Sequence, residues 1–340
     1  MDRLRLLETG LRVFDARLPK VTPSLCLVTR YRGSSCRRCL DVCPSEALTP
    51  VPWLEMDPDR CSSCGACAAV CRTGALAFAT RGDRLRAELR ACAAADPPTA
   101  TLVCSRVDPA TAEDRSIVLP CLGGVSARDL IAAASLGIGR LDLISGDCAT
   151  CPNAAAEASL DFALVAAADT LRALRSEWMV ARSRLPECRP KAVPDSATVS
   201  RRGLFGYVLH GLGRTAAEGS AARRPERSIA TLHNQVAPQG AHGHLLRDLA
   251  ALHSRSGDSP ATLSDLLPLA DVTVSPDCDA CGICLRYCPH GAIALEHEVA
   301  TADYRRCTGC GLCAEVCPRS ALQVGPARFA EPRRANEATR

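Results

Sequence analysis

The chain has 340 residues, enough for two or three domains that each bury a core. A formal net charge of +4 and only 3% aromatic residues provide neither a strongly basic face nor a stacking platform for nucleic acid, so we expect no such partner. The 22 cysteines come without a secretory leader or an apolar run of the roughly 18 residues that a membrane helix needs. We therefore expect a cytoplasmic chain without a membrane span, whose cysteines bind metal rather than form disulfides.

The first predicted element is an amphipathic helix within residues 1–21. Leu4, Leu7, Leu11 and Phe14 fall on one helical face. We expect this face to pack on the module that follows, and docking of a partner is the alternative.

Residues 22–82 form the first predicted module, and their cysteines fall into two motifs. The first motif contains Cys36, Cys39 and Cys43, and the second contains Cys61, Cys64, Cys67 and Cys71. The first motif lacks one cysteine, because Gly33 stands where the spacing of the second would place it. Cys26 is the nearest replacement, and it would leave a looped-out segment before Cys36 at a small entropic cost.

Residues 96–185 are predicted to form a small α/β domain with a parallel sheet. Short apolar runs at 101–104, 116–121 and 141–145 are typical of strands, and alanine-rich helical stretches follow the second and third. The carboxyl ends of parallel strands meet at one edge of a sheet. We therefore expect four cysteines to gather at this edge: Cys104, Cys121, Cys148 and Cys151.

Residues 186–262 are rich in Pro, Arg, Gly and Ser and show little periodicity, which predicts a partly disordered linker with some helix around 245–253. We expect His242 and His244, the one local pair of histidines in this segment, to be solvated. The polar tail at 327–340 is also predicted to be disordered.

Residues 270–326 contain two complete cysteine motifs. They place Cys278, Cys281, Cys284 and Cys288-Pro289 before Cys307, Cys310, Cys313 and Cys317-Pro318. The two modules are an internal repeat, because all four motifs have alanine four residues after the last cysteine, at Ala47, Ala75, Ala292 and Ala321. The repeated C-x2-C-x2-C-x3-C-P spacing resembles that of bacterial-type two-cluster ferredoxins.

The ferredoxin resemblance implies two 4Fe-4S clusters in each module and therefore four in the chain. In that family the last cysteine of one motif completes the cluster of the other motif. The implied ligand sets are Cys278, Cys281, Cys284 and Cys317; Cys307, Cys310, Cys313 and Cys288; Cys61, Cys64, Cys67 and Cys43; and Cys26, Cys36, Cys39 and Cys71.

The N-terminal module departs from the ferredoxin pattern at two positions. If Cys26 is not a ligand, the first cluster has three irons and an open corner, or it takes a ligand from Cys92. The second departure is Arg72, which stands where the other three motifs have proline.

The strand-end cysteines of the middle domain carry a second resemblance. The segments CSRVD, LPCLGG and LDLISGDCATCP resemble the small iron–sulfur subunit that links hydrogenase to heterodisulfide reductase in methanogens. This resemblance implies a fifth centre, a 2Fe-2S or a 4Fe-4S cluster, on Cys104, Cys121, Cys148 and Cys151. A redox-active dithiol of Cys148 and Cys151 and purely structural thiols are the alternatives.

The expected fold class is α+β, with two ferredoxin-like two-cluster modules flanking a small α/β domain. The expected function is electron transport by a polyferredoxin-type subunit, which relays single electrons between a donor and a partner oxidoreductase and has no catalytic residues of its own. Partner candidates are a molybdenum- or tungsten-containing enzyme, a hydrogenase and a heterodisulfide-reductase-like complex.

Two other functions are compatible with the sequence. One is a thiol or disulfide enzyme centred on the middle domain. The other is a maturation factor for a metalloenzyme, because the segment at 200–205 is similar to the start of the polyferredoxin that accompanies periplasmic nitrate reductase.

Overall fold

A computed structural model describes residues 18–50, 53–107, 116–185, 240–256 and 261–329 of the chain. The described residues begin at residue 18. Residues 1–17 of the helix expected within residues 1–21 therefore lie outside them. The Arg-Arg segment at 201–202 and the tail beyond residue 329 also lie outside them.

The N-terminal module consists of short elements around its two cysteine motifs. In chain order they are β1 (Lys20–Val21), α1 (Leu27–Arg30), α2 (Arg38–Asp41), β2 (Leu48–Thr49), β3 (Glu55–Met56), α3 (Ala66–Ala69) and β4 (Leu76–Ala77). β1 pairs antiparallel with β4, and β2 with β3. These pairings bring the two motifs together around a small apolar cluster that includes Leu48, Leu54 and Leu76.

The middle domain contains the predicted parallel sheet. Its elements are α4 (Arg81–Ala93), β5 (Thr99–Cys104), β6 (Ile117–Leu119), α5 (Ala127–Ser135), β7 (Arg140–Ser145), α6 (Glu157–Ala173), β8 (Met179–Arg184) and α7 (Gly240–Ser256). The strand order is β6-β5-β7-β8, and every pair is parallel. One row across the sheet aligns Ile117, Leu102, Leu143 and Arg182.

The apolar side chains of this sheet decide which strands are central. Leu102 and Leu143 are fully buried in β5 and β7, because the face of the sheet that carries them packs in the core of the middle domain with apolar residues of α5 and α6. β8 is an edge strand with polar residues such as Arg182 and Arg184, so its sequence lacks the apolar run that predicted the other three strands.

Helix α7 is longer and more buried than the linker interpretation predicts. Leu245, Leu249 and Leu252 share one face and are at most 2% exposed, because they pack in the core of the middle domain. The expectation that His242 is solvated is wrong. Both of its ring nitrogens are buried, and burial, with smaller effects of nearby cationic and imidazole groups, lowers the pKa of His242 to about 4.

The C-terminal module repeats the architecture of the N-terminal one. Its elements are β9 (Ala261–Thr262), β10 (Ala270–Val274), α8 (Ile283–Tyr287), β11 (Ile293–Glu296), β12 (Val299–Ala302), α9 (Leu312–Glu315), β13 (Leu322–Pro326) and β14 (Arg328–Phe329). β10 pairs antiparallel with β13, and β11 with β12. β14 pairs with β9, so residues 328–329 are ordered although we expected a disordered tail from residue 327.

All described residues belong to one unit of the chain, in which both modules contact the middle domain. None of the described helices is long and apolar enough to cross a membrane.

A buried ion pair holds three helices of the middle domain together. Arg86 in α4 donates two hydrogen bonds to Asp248 in α7, at 2.7 and 2.6 Å, and the hydroxyl of Ser135 in α5 donates a third at 2.8 Å. Asp248 is 4% exposed. Its removal would leave the Arg86 charge buried and unpaired.

We predict that Asp248→Ala lowers the free energy of unfolding by about 3 kcal/mol. The matched control is Glu88→Ala, which removes the exposed pair with Arg84 and should cost less than about 1 kcal/mol. Anaerobic denaturant titration of both variants measures the difference. Equal losses would contradict the role assigned to Asp248.

Candidate metal centres

The eight cysteines of the C-terminal module form two groups, each drawn from both motifs. Cys278, Cys281, Cys284 and Cys317 line one concave site with about 290 Å³ of empty space. In the second group, burial together with neighbouring thiols that include Cys288 raises the pKa of Cys310 to about 11 and that of Cys313 to about 12. Cys307 also lies close to Cys288. The structure thus brings together both of the predicted sets.

One group of the N-terminal module likewise combines three cysteines of one motif with one cysteine of the other. Cys43, from the first motif, lines a concave site of about 340 Å³ with Cys61, Cys64 and Cys67 from the second. Burial, with the charges of Cys64, Cys39, Cys61 and Cys43, raises the pKa of Cys67.

The remaining group includes Cys26, the cysteine outside the regular spacing. Burial, with the nearby thiols of Cys71, Cys36 and Cys26, raises the pKa of Cys39 to about 12. Cys26 is buried at the start of α1. Cys92 instead packs against the core of the middle domain. The structure therefore places Cys26, and not Cys92, beside the cysteines of the incomplete motif.

The incomplete motif also turns differently from a regular one. Gly65, after the second cysteine of the second motif, has a φ of +92°, which glycine adopts without a steric penalty. In the first motif Cys36 aligns with Cys64, because the preceding cysteine is missing. Arg37 therefore corresponds to Gly65, and it has a φ of −125°. A side chain is tolerated there because the loop does not make the left-handed turn.

The repeated alanines have a structural explanation in hydrogen bonds to sulfur. The backbone N–H groups of Ala47, Ala292 and Ala321 donate to the Sγ atoms of Cys43, Cys288 and Cys317, at 3.3, 3.2 and 3.4 Å. Such donors stabilise a thiolate and tune the potential of a cluster bound to it.

The fourth alanine differs, and its motif is the one that contains Arg72. The N–H of Ala75 donates to the hydroxyl of Thr73 at 3.4 Å. That hydroxyl lies 3.6 Å from the Sγ of Cys71. The threonine hydroxyl thus stands between the backbone donor and the sulfur.

The strand-end cysteines of the middle domain gather at one edge of the sheet, as expected from parallel topology. Cys104, Cys121, Cys148 and Cys151 line a cavity with about 460 Å³ of empty space. Backbone N–H groups of Gly123 and Asn153 donate to the sulfurs of Cys121 and Cys151, both at 3.4 Å. Burial, with the nearby thiols of Cys104, Cys64 and Cys151, raises the pKa of Cys121 to about 12.

The middle site lies directly against the N-terminal module. A Cβ atom on Gly124 would come within 2.6 Å of the carbonyl oxygen of Cys64, so only glycine allows this approach. Arg81 donates to the carbonyls of Ser63, at 2.9 Å, and Cys64, at 3.4 Å. The cysteine spacing gave no signal for Arg81, because its contacts depend on how the two domains meet.

These donor sets fit iron–sulfur clusters. In every set the four thiols come from at least two loops. Each set also contains a buried thiol with a raised pKa, which stays protonated at neutral pH until a positive metal centre replaces the proton; these thiols are Cys39, Cys67, Cys121, Cys284 and Cys310. Across the described part of the chain, no three His, Cys, Asp or Glu side chains close around a single metal ion.

The comparison with protein families agrees with this chemistry. A family model described as a 4Fe-4S dicluster domain matches residues 34–75 and 277–321. The chain therefore carries two ferredoxin-type dicluster domains, and an iron–sulfur electron-transfer role follows from them. The matched residues exclude Cys26 and the middle domain. Comparisons with curated proteins and with solved structures gave no match.

We predict that Cys26→Ser lowers the iron content by up to about four atoms per chain, or leaves a three-iron cluster, because one corner loses its thiolate. Cys92→Ser is the control and should retain all of its iron. Anaerobic iron analysis with electron paramagnetic resonance measures both outcomes. Iron loss in the Cys92 variant alone would contradict the placement of Cys26.

Proposed function

We propose that the chain is a polyferredoxin-type subunit that relays single electrons between a donor and a partner oxidoreductase. The observation that carries this proposal is the grouping of sixteen cysteines into four sets within one unit, each set drawn from two motifs. A bound 4Fe-4S cluster supplies a centre that takes up and releases one electron.

The proposed ligand sets are those implied by the ferredoxin resemblance. They are Cys26, Cys36, Cys39 and Cys71; Cys43, Cys61, Cys64 and Cys67; Cys278, Cys281, Cys284 and Cys317; and Cys288, Cys307, Cys310 and Cys313. The protein's contribution is to bury most of these thiols at least partly, to turn each loop toward its set, and to donate backbone N–H groups to some of the sulfurs. Small buried alanines allow that backbone to approach the sulfur.

A fifth centre on Cys104, Cys121, Cys148 and Cys151 is part of the proposal. It is supported by their shared cavity and by the two N–H donors that point at its sulfurs. The close approach of Gly124 to Cys64 favours a centre that exchanges electrons with the N-terminal module.

The partner is proposed by class. The described residues of the middle cavity provide thiols and a few charged side chains. We therefore assign the catalytic chemistry to the partner, which would be a molybdenum or tungsten enzyme, a hydrogenase or a heterodisulfide-reductase-like complex. We propose a cytoplasmic location, because reduced thiols are the normal state there. The maturation-factor alternative depends on residues 200–205, which lie outside the described residues.

We predict that the double variant Cys148→Ser, Cys151→Ser loses about two to four irons per chain and one electron of redox capacity, because a fifth cluster loses two of its four ligands. Anaerobic iron analysis and coulometric titration of this variant and of the unmodified chain measure both quantities. A variant with unchanged iron that has lost two electrons would contradict the fifth centre and indicate a dithiol enzyme.

A further inference from the structure

Arg72 occupies a position that the other three motifs give to proline. Pro44, Pro289 and Pro318 each follow the last cysteine of a motif, and Arg72 follows Cys71. The ferredoxin pattern provides no role for a cation at this position, but the contacts of Arg72 provide one.

The guanidinium of Arg72 reaches from the N-terminal module to the C-terminal one. Its Nη1 donates to the carbonyl oxygen of Gly309 at 2.8 Å, and its Nη2 donates to the carbonyl oxygen of Asp265. Gly309 lies in the loop between Cys307 and Cys310. A Cβ atom there would lie 2.7 Å from Nη1, so the glycine makes room for the arginine.

The backbone of Arg72 is also held in place. Its carbonyl accepts a hydrogen bond from Arg128 of the middle domain at 3.1 Å. An arginine guanidinium keeps its charge at neutral pH even when it is buried, and the thiols of Cys310 and Cys307 lie within electrostatic range of Arg72. A positive charge is thus fixed between Cys71 and the Cys307–Cys310 loop.

A second arginine makes the same kind of bridge a few residues from Cys26. Arg30 donates from Nε to the carbonyl of Tyr287 and from Nη2 to that of Arg286, both at 2.8 Å. The rings of Tyr31 and Tyr287 meet edge to face with centroids 5.6 Å apart. The contacts around Arg30 and Arg72 therefore join two particular cysteine sets, the one in the N-terminal module that includes Cys26 and the one in the C-terminal module that includes Cys288.

We propose that Arg72 is a positioning residue: it holds the set of Cys26, Cys36, Cys39 and Cys71 beside the set of Cys288, Cys307, Cys310 and Cys313, and its charge favours the reduced state at the second set. Single electrons then pass between the two modules directly, without the middle domain, and no bond is made or broken. The inference deepens the proposed function and rests on it.

The charge argument has a definite sign. Reduction adds one negative charge to a centre, and net charge close to an iron–sulfur centre is one of the determinants of its potential. Removal of the Arg72 charge should therefore lower the potential of the centre at Cys307 and Cys310. Removal of the two-pronged hydrogen bond should loosen the contact between the modules.

Three variants separate charge from geometry. Arg72→Gln removes both the charge and the fork. Arg72→Lys keeps the charge but cannot donate to two carbonyls in a fixed plane. Arg60→Gln is the matched control, because Arg60 also adjoins a predicted ligand, Cys61, but is half-exposed and pairs with Glu46 at 3.5 Å.

The experiment is an anaerobic redox titration of the full chain, followed by electron paramagnetic resonance of the fully reduced form. We expect Arg72→Gln to retain its iron, to lower the potential of one centre and to weaken the magnetic interaction between reduced centres. Arg72→Lys should keep the potential and still weaken the interaction, and Arg60→Gln should match the unmodified chain in both.

Unchanged potentials and magnetic interaction in Arg72→Gln would overturn the proposal, as would equal changes in Arg60→Gln. If Arg72→Gln loses iron, the interaction measured in Arg72→Lys decides. An unmodified chain with iron for one module alone would instead refute the proposed function, so the two failures are distinguishable.

Discussion

Each of the four proposed cluster sites needs four thiolates, and within the described residues no single loop supplies more than three of them. The last cysteine of a motif must therefore reach the site of the other motif, as Cys43 reaches Cys61 and Cys288 reaches Cys310. This requirement determines the antiparallel pairing of first with last strand in each module. The apolar clusters of the two modules are small, so metal ligation would contribute much of their folding free energy.

Tight loops around a metal site leave backbone carbonyls outside any helix or strand, and a buried carbonyl needs a donor. Arginine meets this need repeatedly here. Arg72 and Arg81 donate to carbonyls of cysteine loops, and Arg30 donates to the last carbonyls of α8, which have no partner within that helix. Each of the three spans two regions of the sequence. A guanidinium has five N–H donors in a plane and remains charged when buried, so one side chain can satisfy the loop, join two modules and place a positive charge near the sulfurs.

Much of the site could be predicted from sequence because cysteine spacing is a local property. The spacing identified both dicluster modules, which the family comparison confirms, and the apolar runs at 101–104, 116–121 and 141–145 overlap the strands β5, β6 and β7. The remainder depends on tertiary contacts that leave no periodic signal. His242 is buried because Leu245, Leu249 and Leu252 on the same helix join the core of the middle domain. The role proposed for Arg72 depends on its hydrogen bond to Gly309, which is distant in sequence.

The central claim is that both modules of one chain carry two clusters each and that the middle domain carries a fifth centre. Anaerobic counting of iron and acid-labile sulfide on the unmodified full-length chain tests it most directly. The account predicts about eighteen or twenty irons per chain. About sixteen would contradict the part of the claim that concerns the fifth centre, and about eight would contradict the part that concerns the modules, because one module would then hold no clusters.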